Sequence, residues 1–441
     1  MASPLPGPRK GLKTTMAWVR NPPALLQEGK DRYGDIWAFR MQAGITFVFI
    51  YDPVLVEQVF TADPTVVHGG DAYAQLATAL LGKHSLIVLD ESEHDRARAL
   101  LRPSFHADHV ERFRDHVTQA CEASLATWPL HTPIATLARM QEITLHTIMT
   151  AIFGVSGPVL ERLQAAVTEL VAHGSNGLRM AMIQVWRLRD RIPRTFAKLI
   201  ARLDAEIYDV IATARRDANL AQRDDVLAML LCTTDHDGTA MSDVEVRDEL
   251  VTLLMQGHQS TGTALAWALE RLTRHPDVLG RLRDELEAGK DEYLDAVVRE
   301  LLRVRPPLPM ALRMAKQPYE IGGFEVEPGM SLAPCSFIIQ RRADIYPEPL
   351  QFRPERFLGK PESPYTWFPF GGPPRNCIGR SFATMEVKMV LRTLVLNARF
   401  EPSTEPDEGF TRRGVMFSPK EGGRVVLRER RVVRERVPSA H

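Results

Sequence analysis

The run Phe370-Gly371-Gly372-Pro373-Pro374-Arg375-Asn376-Cys377-Ile378-Gly379 decides how this chain is interpreted. A free cysteine is usually a small buried hydrophobic residue, but Cys377 lies in a glycine- and proline-rich loop, two residues after Arg375 and directly before a helical pattern over 378–396. The start of a helix and a nearby guanidinium are expected to lower the pKa of a thiol. Gly379 leaves room for a large planar ligand beside the backbone. The loop therefore predicts an exposed thiolate that binds a metal, with a turn that merely contains a cysteine as the alternative.

This loop resembles the haem-binding loop of the cytochrome P-450 family, F-x-x-G-x-R-x-C-x-G. Phe370, Arg375, Cys377 and Gly379 match that pattern. The resemblance implies that Cys377 is the proximal ligand of the iron in haem b. One position departs from the pattern, because Pro373 replaces the usual glycine and brings a fixed φ and no N–H donor. We expect a locally altered loop that keeps the ligand.

Composition and charge limit the kind of protein. Of the 441 residues, 44% are hydrophobic and 25% are charged, which is enough to bury a large core. No linker, internal repeat or block of like charge divides the chain, so we predict a single catalytic domain over 1–441, with short disordered ends at about 1–10 and 430–441. Acidic and basic residues number 55 each, and this zero net charge gives no support for a nucleic-acid partner.

The cysteines and the N-terminus argue against further classes. The four cysteines are widely spaced and form no C-x-x-C motif, which disfavours a disulfide framework or a structural zinc site: Cys121, Cys232, Cys335 and Cys377. Residues 1–23 contain no apolar run long enough for a signal sequence or a membrane span. We expect a cytoplasmic monomer without a membrane span.

The hydrophobic pattern predicts a mainly α fold with a minor β region. Residues 36–40 and 47–51 alternate around a glycine as a hairpin would. Short strands return at 318–338 and 423–428, and a capping box, Ser242 with Glu245, starts one long helix. Helical periods extend through 141–153, 158–172, 195–215 and 244–272. The P-450 resemblance implies the same fold, with a long oxygen-activating helix over the haem and a small sheet near the N-terminus.

Glu300 and Arg303 are spaced i, i+3, so a carboxylate and a guanidinium lie side by side on one helix face. Taken alone, such a pair could be a solvated surface pair. Its context resembles the family, because Pro306-Pro307 ends the helix and Arg356 follows in a Pro-Glu-Arg-Phe run upstream of Cys377. The resemblance implies that Glu300, Arg303 and Arg356 form a buried network that supports the haem loop.

A buried haem also needs partners for its two propionates. His94 and Arg98 are spaced i, i+4 and resemble the H-x-x-x-R of bacterial relatives, and Arg313 follows the Pro306-Pro307 stop as the family's strand arginine does. Arg375 in the cysteine loop is the fourth candidate. Each of these residues alone could be a solvated charge, but together they match the needs of one ligand.

The oxygen-activating segment departs most from the family. Gln256-Gly257-His258-Gln259-Ser260-Thr261 aligns with A-G-x-[DE]-T-T. The resemblance makes Gly257, Gln259, Ser260 and Thr261 the catalytic candidates, with Gly257 opening a groove for O₂. Gln259 replaces the acid and cannot release a proton, whereas Ser260 keeps a hydroxyl in place of threonine. The proton could therefore come from ordered water or from the substrate.

The resemblance implies a monooxygenase that inserts one oxygen atom of O₂ into a lipophilic small molecule, by hydroxylation or epoxidation, in bacterial secondary metabolism. No G-x-G-x-x-G follows a strand, so electrons are expected from a separate ferredoxin or flavodoxin with its NAD(P)H reductase. The surface on which this electron donor docks is expected to contain four basic residues: Arg96, Arg102, Arg380 and Lys388. Two other classes of function stay open. The first, which Gln259 favours, is a peroxide-driven peroxygenase or another haem-thiolate enzyme, an isomerase or a dehydratase. The second is a haem sensor without enzymatic activity.

Overall fold

Helices make up most of the structure, a computed structural model that describes residues 3–41, 44–174, 193–359, 361–404 and 406–431. The helices are α1 (Leu12–Arg20), α2 (Pro22–Tyr33), α3 (Pro53–Phe60), α4 (Gly70–Leu81), α5 (Glu91–Leu101), α6 (Ala107–Val110), α7 (Arg114–Ala126), α8 (Thr136–Phe153), α9 (Pro158–Gly174), α10 (Arg194–Arg215), α11 (Val226–Cys232), α12 (Asp243–Gly257), α13 (Gln259–Thr273), α14 (Pro276–Glu287), α15 (Glu292–Val304), α16 (Ser336–Ile339) and α17 (Arg380–Asn397). No helix in these described ranges is both long and apolar enough to cross a membrane.

The strands form small sheets beside the helices. They are β1 (Ile36–Arg40), β2 (Thr46–Ile50), β3 (Val67–His68), β4 (Pro133–Ala135), β5 (Arg313–Ala315), β6 (Tyr319–Ile321), β7 (Phe324–Val326), β8 (Ser331–Pro334), β9 (Ala398–Pro402), β10 (Phe410–Arg413), β11 (Met416–Pro419) and β12 (Arg424–Arg430). The largest sheet has the order β1-β2-β8-β5-β3. Its aromatic and β-branched strands pack into a buried core. The mainly α fold with a minor β region is thus confirmed.

The five-stranded sheet joins distant parts of the chain. The predicted hairpin forms as antiparallel β1 and β2, with Ile36 opposite Ile50, and β8 then pairs parallel to β2, with Val48 opposite Leu332. β5 lies antiparallel to β8 and carries Arg313 into the interior of the protein. The sheet therefore fixes one of the candidate site residues relative to the N-terminal hairpin.

Residues 244–272 are helical as predicted, apart from His258. There the predicted continuous helix divides into α12 and α13. The capping box of Ser242 and Glu245 is present at its start. The hydroxyls of Ser260 and Thr261 donate to the carbonyls of Gln256 and Gly257, at 3.2 and 3.1 Å. Side-chain hydroxyls that compete for main-chain carbonyls in this way favour a local break or bend of a helix.

Two expectations about chain ends need correction. Residues 3–10 are ordered against the sheet, since Ser3 donates its N–H to the carbonyl of Gly323 at 3.0 Å and Ala38 donates to Pro6 at 2.7 Å. Arg430 belongs to β12, and Arg431 donates to the carbonyl of Asn397 at 2.8 Å. Residues 1–2 and 432–441 lie outside the described residues.

Candidate functional site

The cysteine loop is a tightly hydrogen-bonded turn that ends at the start of α17. Cys377 donates its N–H to the carbonyl of Phe370 at 2.8 Å, and Gly371, with φ +71°, donates to Phe368 at 3.0 Å. The peptide bond between Pro373 and Pro374 is cis. As a residue, Cys377 is exposed on this loop.

Gly379 precedes α17 and lies beside the sulfur. A Cβ atom at this position would lie 3.9 Å from Sγ of Cys377, an ordinary contact distance. The packing of the loop itself therefore does not require glycine here. The missing side chain leaves free space next to the sulfur, as expected if a planar ligand approaches the loop.

The electrostatic surroundings of the thiol differ from the sequence prediction. Although the residue Cys377 is exposed, protein surrounds its sulfur densely enough that burial raises the thiol pKa above its ordinary value. The N–H of Gly379 and the charges of Arg98 and Arg380 oppose this rise. Arg375, the cation that we expected to lower the thiol pKa, is not among the charges that do so. Burial outweighs these opposing effects, so the prediction of a lowered thiol pKa is wrong.

Arg98 is a half-buried cation and Arg313 a buried one, and neither has a carboxylate partner among the described residues. Arg98 is half-buried and donates to Oδ1 of Asn376 at 3.2 Å, next to Cys377. Arg313 is buried, donates to the carbonyls of Leu312 and Gly372 at 2.9 and 3.1 Å, and has a pKa that burial lowers to about 10. Within the described ranges, neither guanidinium has a carboxylate at ion-pair distance. A buried unpaired guanidinium is costly, so an anionic group would stabilise this arrangement.

Arg375 has a different environment from the other two arginines. Its Nη1 donates to the carbonyl of Leu89 at 2.7 Å and lies 3.1 Å from Oδ1 of Asp90. Asp90 in turn accepts the N–H groups of Gly69 and Asp71 at 2.9 and 2.8 Å. Arg375 therefore ties the cysteine loop to the junction of α4 and α5. Asp90 was not singled out from the sequence, because its carboxylate caps the start of α4, about twenty residues earlier in the chain, and not the helix that follows it.

His94 is buried, and its role differs from that of a cation. Burial, followed by the charge of Arg375, lowers the pKa of His94 to about 4. The imidazole is therefore neutral at neutral pH and can offer a hydrogen bond but no charge. We expected His94 to be a charged partner of a haem propionate. The structure makes it a neutral hydrogen-bond donor instead.

These residues fit a bound haem. The exposed residue Cys377 supplies a metal ligand, and the free space beside Gly379 supplies room for a ring. The guanidinium groups of half-buried Arg98 and buried Arg313, which have no carboxylate at ion-pair distance among the described residues, supply counter-charges for acidic substituents. The candidate residues Cys377, Arg98, Arg313, His94 and Arg375 come together in the structure through direct contacts or charge interactions.

Behind the cysteine loop, Glu300 and Arg303 form a fully buried ion pair. Nε and Nη2 of Arg303 lie 2.6 and 2.8 Å from the two carboxylate oxygens, in a two-point geometry. Arg303 also donates to the carbonyls of Gln340, Pro349 and Gln351 at 2.7, 2.8 and 3.1 Å. Arg356 approaches Glu300 with Nε at 3.5 Å. The network inferred from the family resemblance is therefore present.

α15 is connected to the thiol through an aromatic residue. Nε1 of Trp367 donates to the carbonyl of Arg299 at 3.2 Å, and the rings of Trp367 and Phe370 lie 6.4 Å apart. The carbonyl of Phe370 accepts the N–H of Cys377. Trp367, which the sequence analysis did not select, thus links the helix that carries the ion pair to the cysteine.

Gly257 has a different neighbour from the one expected. A Cβ at this position would lie 2.8 Å from Cγ1 of Ile148 on α8, so glycine permits close packing of α8 and α12 rather than a groove for oxygen. The helix divides one residue later, at His258, whose carbonyl accepts the hydroxyl of Thr144 at 2.9 Å. Gln259 and Ser260 are half-buried, and Thr261 is buried.

Three polar residues of α12 hold the loop between α4 and α5. Asp248 accepts the N–H of His84 at 3.0 Å, and Glu249 accepts that of Leu86 at 2.9 Å. The hydroxyls of Thr252 and Ser85 lie 2.6 Å apart. The sequence analysis missed these residues, although acidic side chains inside an apolar helical stretch indicate buried partners.

The fold and the site together define a haem-thiolate protein with a divided helix opposite its cysteine loop. The chain belongs to the cytochrome P450 family, whose sequence profile, described as Cytochrome P450, matches residues 3–425. Members of this family are haem-thiolate monooxygenases, so a haem held by a cysteine thiolate is the cofactor.

Two mycobacterial proteins are similar to this chain in sequence, and one solved structure is similar to it in fold. A Mycobacterium tuberculosis protein named "Putative cytochrome P450 135B1" is 35% identical over 97% of this chain and 92% of its own. "Putative cytochrome P450 138" of the same organism is 36% identical over 94% of each chain. Retinoic acid-bound cyanobacterial CYP120A1 superimposes with a TM-score of 0.83 at 22% identity, over 96% of this chain and 99% of that one. The last comparison shows the fold alone.

Replacing Glu300 by glutamine is expected to destabilise the protein by about 3–5 kcal/mol, because the guanidinium of Arg303 would stay buried without its counter-charge. Urea unfolding measures the change. The matched control is Glu111→Gln, which breaks an exposed pair with Arg114 at the same i, i+3 spacing and should cost about 1 kcal/mol or less. Equal costs for the two variants would contradict a structural role for the buried pair.

Replacing Arg313 by glutamine is expected to raise the rate of haem loss about tenfold or more, because a charge-assisted contact to an acidic substituent is removed. Transfer of haem to excess apomyoglobin measures this rate. Arg305→Gln is the control, since Arg305 is a half-buried arginine that lies over the ring of Trp267, at 5.0 Å. A haem-loss rate that Arg313→Gln leaves unchanged would rule out this contact.

Proposed function

We propose that the protein is a monooxygenase that uses O₂ and receives its electrons from a separate redox partner. The observation that carries this proposal is the exposed residue Cys377 on a loop that contacts the guanidinium groups of Arg98 and Arg313, neither of which has a carboxylate at ion-pair distance among the described residues. The haem, when bound through the thiolate, supplies iron whose electron density favours cleavage of the O–O bond. The protein chain supplies the ligand, its rigid support and the route for protons.

Cys377 is the proposed ligand, and Glu300, Arg303 and Arg356 support it indirectly. Their buried network fixes α15, and Trp367 and Phe370 connect α15 to the thiol. A rigid support of this kind holds a ligand within the narrow tolerance that metal chemistry requires. Arg98 and Arg313 are the proposed cationic partners of the propionates, with His94 as a neutral donor.

Ser260 is the proposed hydroxyl donor for proton delivery. Its Oγ now donates to the carbonyl of Gln256 at 3.2 Å, so it must rotate before it can pass a proton. Serine lacks the branched Cβ that restricts threonine, which makes this rotation easier. Gln259 can orient a water molecule but has no proton to release. We infer that the proton enters through ordered water that Ser260 and Gln259 hold.

The electron donor is proposed to be a ferredoxin or flavodoxin with its NAD(P)H reductase. Arg102 and Arg380 are exposed, and Arg380 lies 5.5 Å above the ring of Phe370 in the cysteine loop, so they suit an acidic partner. Arg96 and Lys388 are less suitable than expected. Arg96 is paired with Asp235 and Glu245, each at 2.7 Å, and Lys388 lies 3.3 Å from Asp295.

The proposed substrate is a lipophilic small molecule, and hydroxylation or epoxidation are the proposed reactions. Two apolar side chains support this choice: Leu312, directly before β5, and Val415, in the turn between β10 and β11. The pairing of β2 with β8 and of β4 with β12 supports one catalytic domain. A cytoplasmic location, a monomeric state and a role in bacterial secondary metabolism stay predictions.

A peroxide-driven reaction is the second candidate, and the glutamine at 259 favours it. Peroxide already carries the protons and electrons that O₂ activation must otherwise collect, so such a reaction depends less on an acid at this position.

Turnover of a panel of lipophilic compounds with a ferredoxin, its reductase and NADPH, compared with hydrogen peroxide alone, tests the proposal. We expect product in the first mixture, with ¹⁸O from labelled O₂ incorporated into it. Product in the peroxide mixture alone, across several electron-transfer partners, would instead support the second candidate.

Replacing Gln259 by glutamate is expected to raise the fraction of consumed NADPH that appears as product, and to raise the rate about tenfold. The physical reason is that a carboxyl group can pass protons that an amide cannot. Gln119→Glu, an exposed change on α7, is the control. Equal coupling in the wild type and Gln259→Glu would show that protons enter by a route independent of this position.

A further inference from the structure

Gln256 is an exposed polar residue in a segment that is otherwise largely buried. Residues 246–254 before it are buried, and so are His258 and residues 261–273 after it. Its main-chain carbonyl accepts the hydroxyl of Ser260. Its carboxamide has no hydrogen-bond partner among the residues that the structure describes. A free amide at this point of the fold is available for a ligand.

The direction of Gln256 follows from the periodicity of α12. Glu249 and Thr252 hold the loop between α4 and α5, and Gln256 follows Thr252 by four residues, so these three side chains share one helix face. Gly257, one residue and about 100° further round the helix, is the position that packs closely on Ile148 of α8. The carboxamide of Gln256 therefore lies on the helix face that contacts the loop between α4 and α5.

That loop also reaches the cysteine. The carbonyl of Leu89, at its end, accepts Nη1 of Arg375 at 2.7 Å, two residues before Cys377. Arg98 on α5 contacts Asn376, directly before Cys377. The helix face that carries Gln256 and the loop that carries the thiol are thus both hydrogen-bonded to one short segment, 82–90.

We propose that Gln256 is a hydrogen-bond donor to the group bound on the distal side of the haem, a positioning role that rests on the proposed function. In A-G-x-[DE]-T-T this position is alanine, so this chain places a carboxamide where the pattern has a methyl group. The amide N–H groups recognise an oxygen or nitrogen acceptor without adding charge. Among lipophilic molecules, the site then favours those with a carbonyl or hydroxyl oxygen near the reacting carbon.

Gln256→Leu removes the donor while keeping a side chain of similar size. Ferric holoprotein is titrated with cyanide, an anion that still accepts a hydrogen bond when bound, and with pyridine, which has no acceptor left once bound. We expect the Kd for cyanide to rise about tenfold or more and the Kd for pyridine to stay unchanged. Gln119→Leu, an exposed change on α7, should alter neither.

An unchanged Kd for cyanide would overturn the role of Gln256. An equal change for both ligands would also overturn it, because a shape change would then explain the result. The haem spectrum separates this failure from that of the proposed function. If wild-type protein and Gln256→Leu share a thiolate-ligated spectrum, only the role of Gln256 fails, whereas a wild type without that spectrum removes the proposed function itself.

Discussion

A buried ion pair between Glu300 and Arg303 is the interaction on which the rest of the haem site depends. Two charges without access to water are stable only when every hydrogen-bonding group is used. Arg303 meets this condition by binding three main-chain carbonyls between 340 and 351, and Glu300 accepts the N–H of Arg353 at 2.8 Å. The pair therefore determines the path of the chain that leads to the cysteine loop.

The site divides into a rigid half and an adaptable half. Hydrogen bonds and aromatic contacts support Cys377 from behind, through Phe370 and Trp367. On the other side, the helix is broken at His258, and the side-chain amides of Gln256 and Gln259 make no hydrogen bond to the described residues. The thiolate of Cys377 sets the reactivity of the metal from one side of the haem. The side chains on the other side can therefore differ, so that the same cofactor acts on different substrates.

Sequence reasoning predicted the mainly α fold, the hairpin and the i, i+3 pair, because periodicity and fixed spacing express them directly. It could not predict the break at His258, since hydroxyls competing for carbonyls leave the hydrophobic period unchanged. It also misjudged the environments of Arg375 and His94. Their contacts come from residues far away in the chain, and burial, which sets the charge of His94, is a tertiary property.

The reduced carbon-monoxide difference spectrum of Cys377→Ser, compared with wild type and Cys232→Ser, tests the central claim most directly. Cys232 is also exposed but lies at the end of α11, so its replacement controls for loss of a thiol. We predict the long-wavelength band of a thiolate-ligated haem in wild type and Cys232→Ser, and its loss in Cys377→Ser. Persistence of that band in Cys377→Ser would show that another residue ligates the iron.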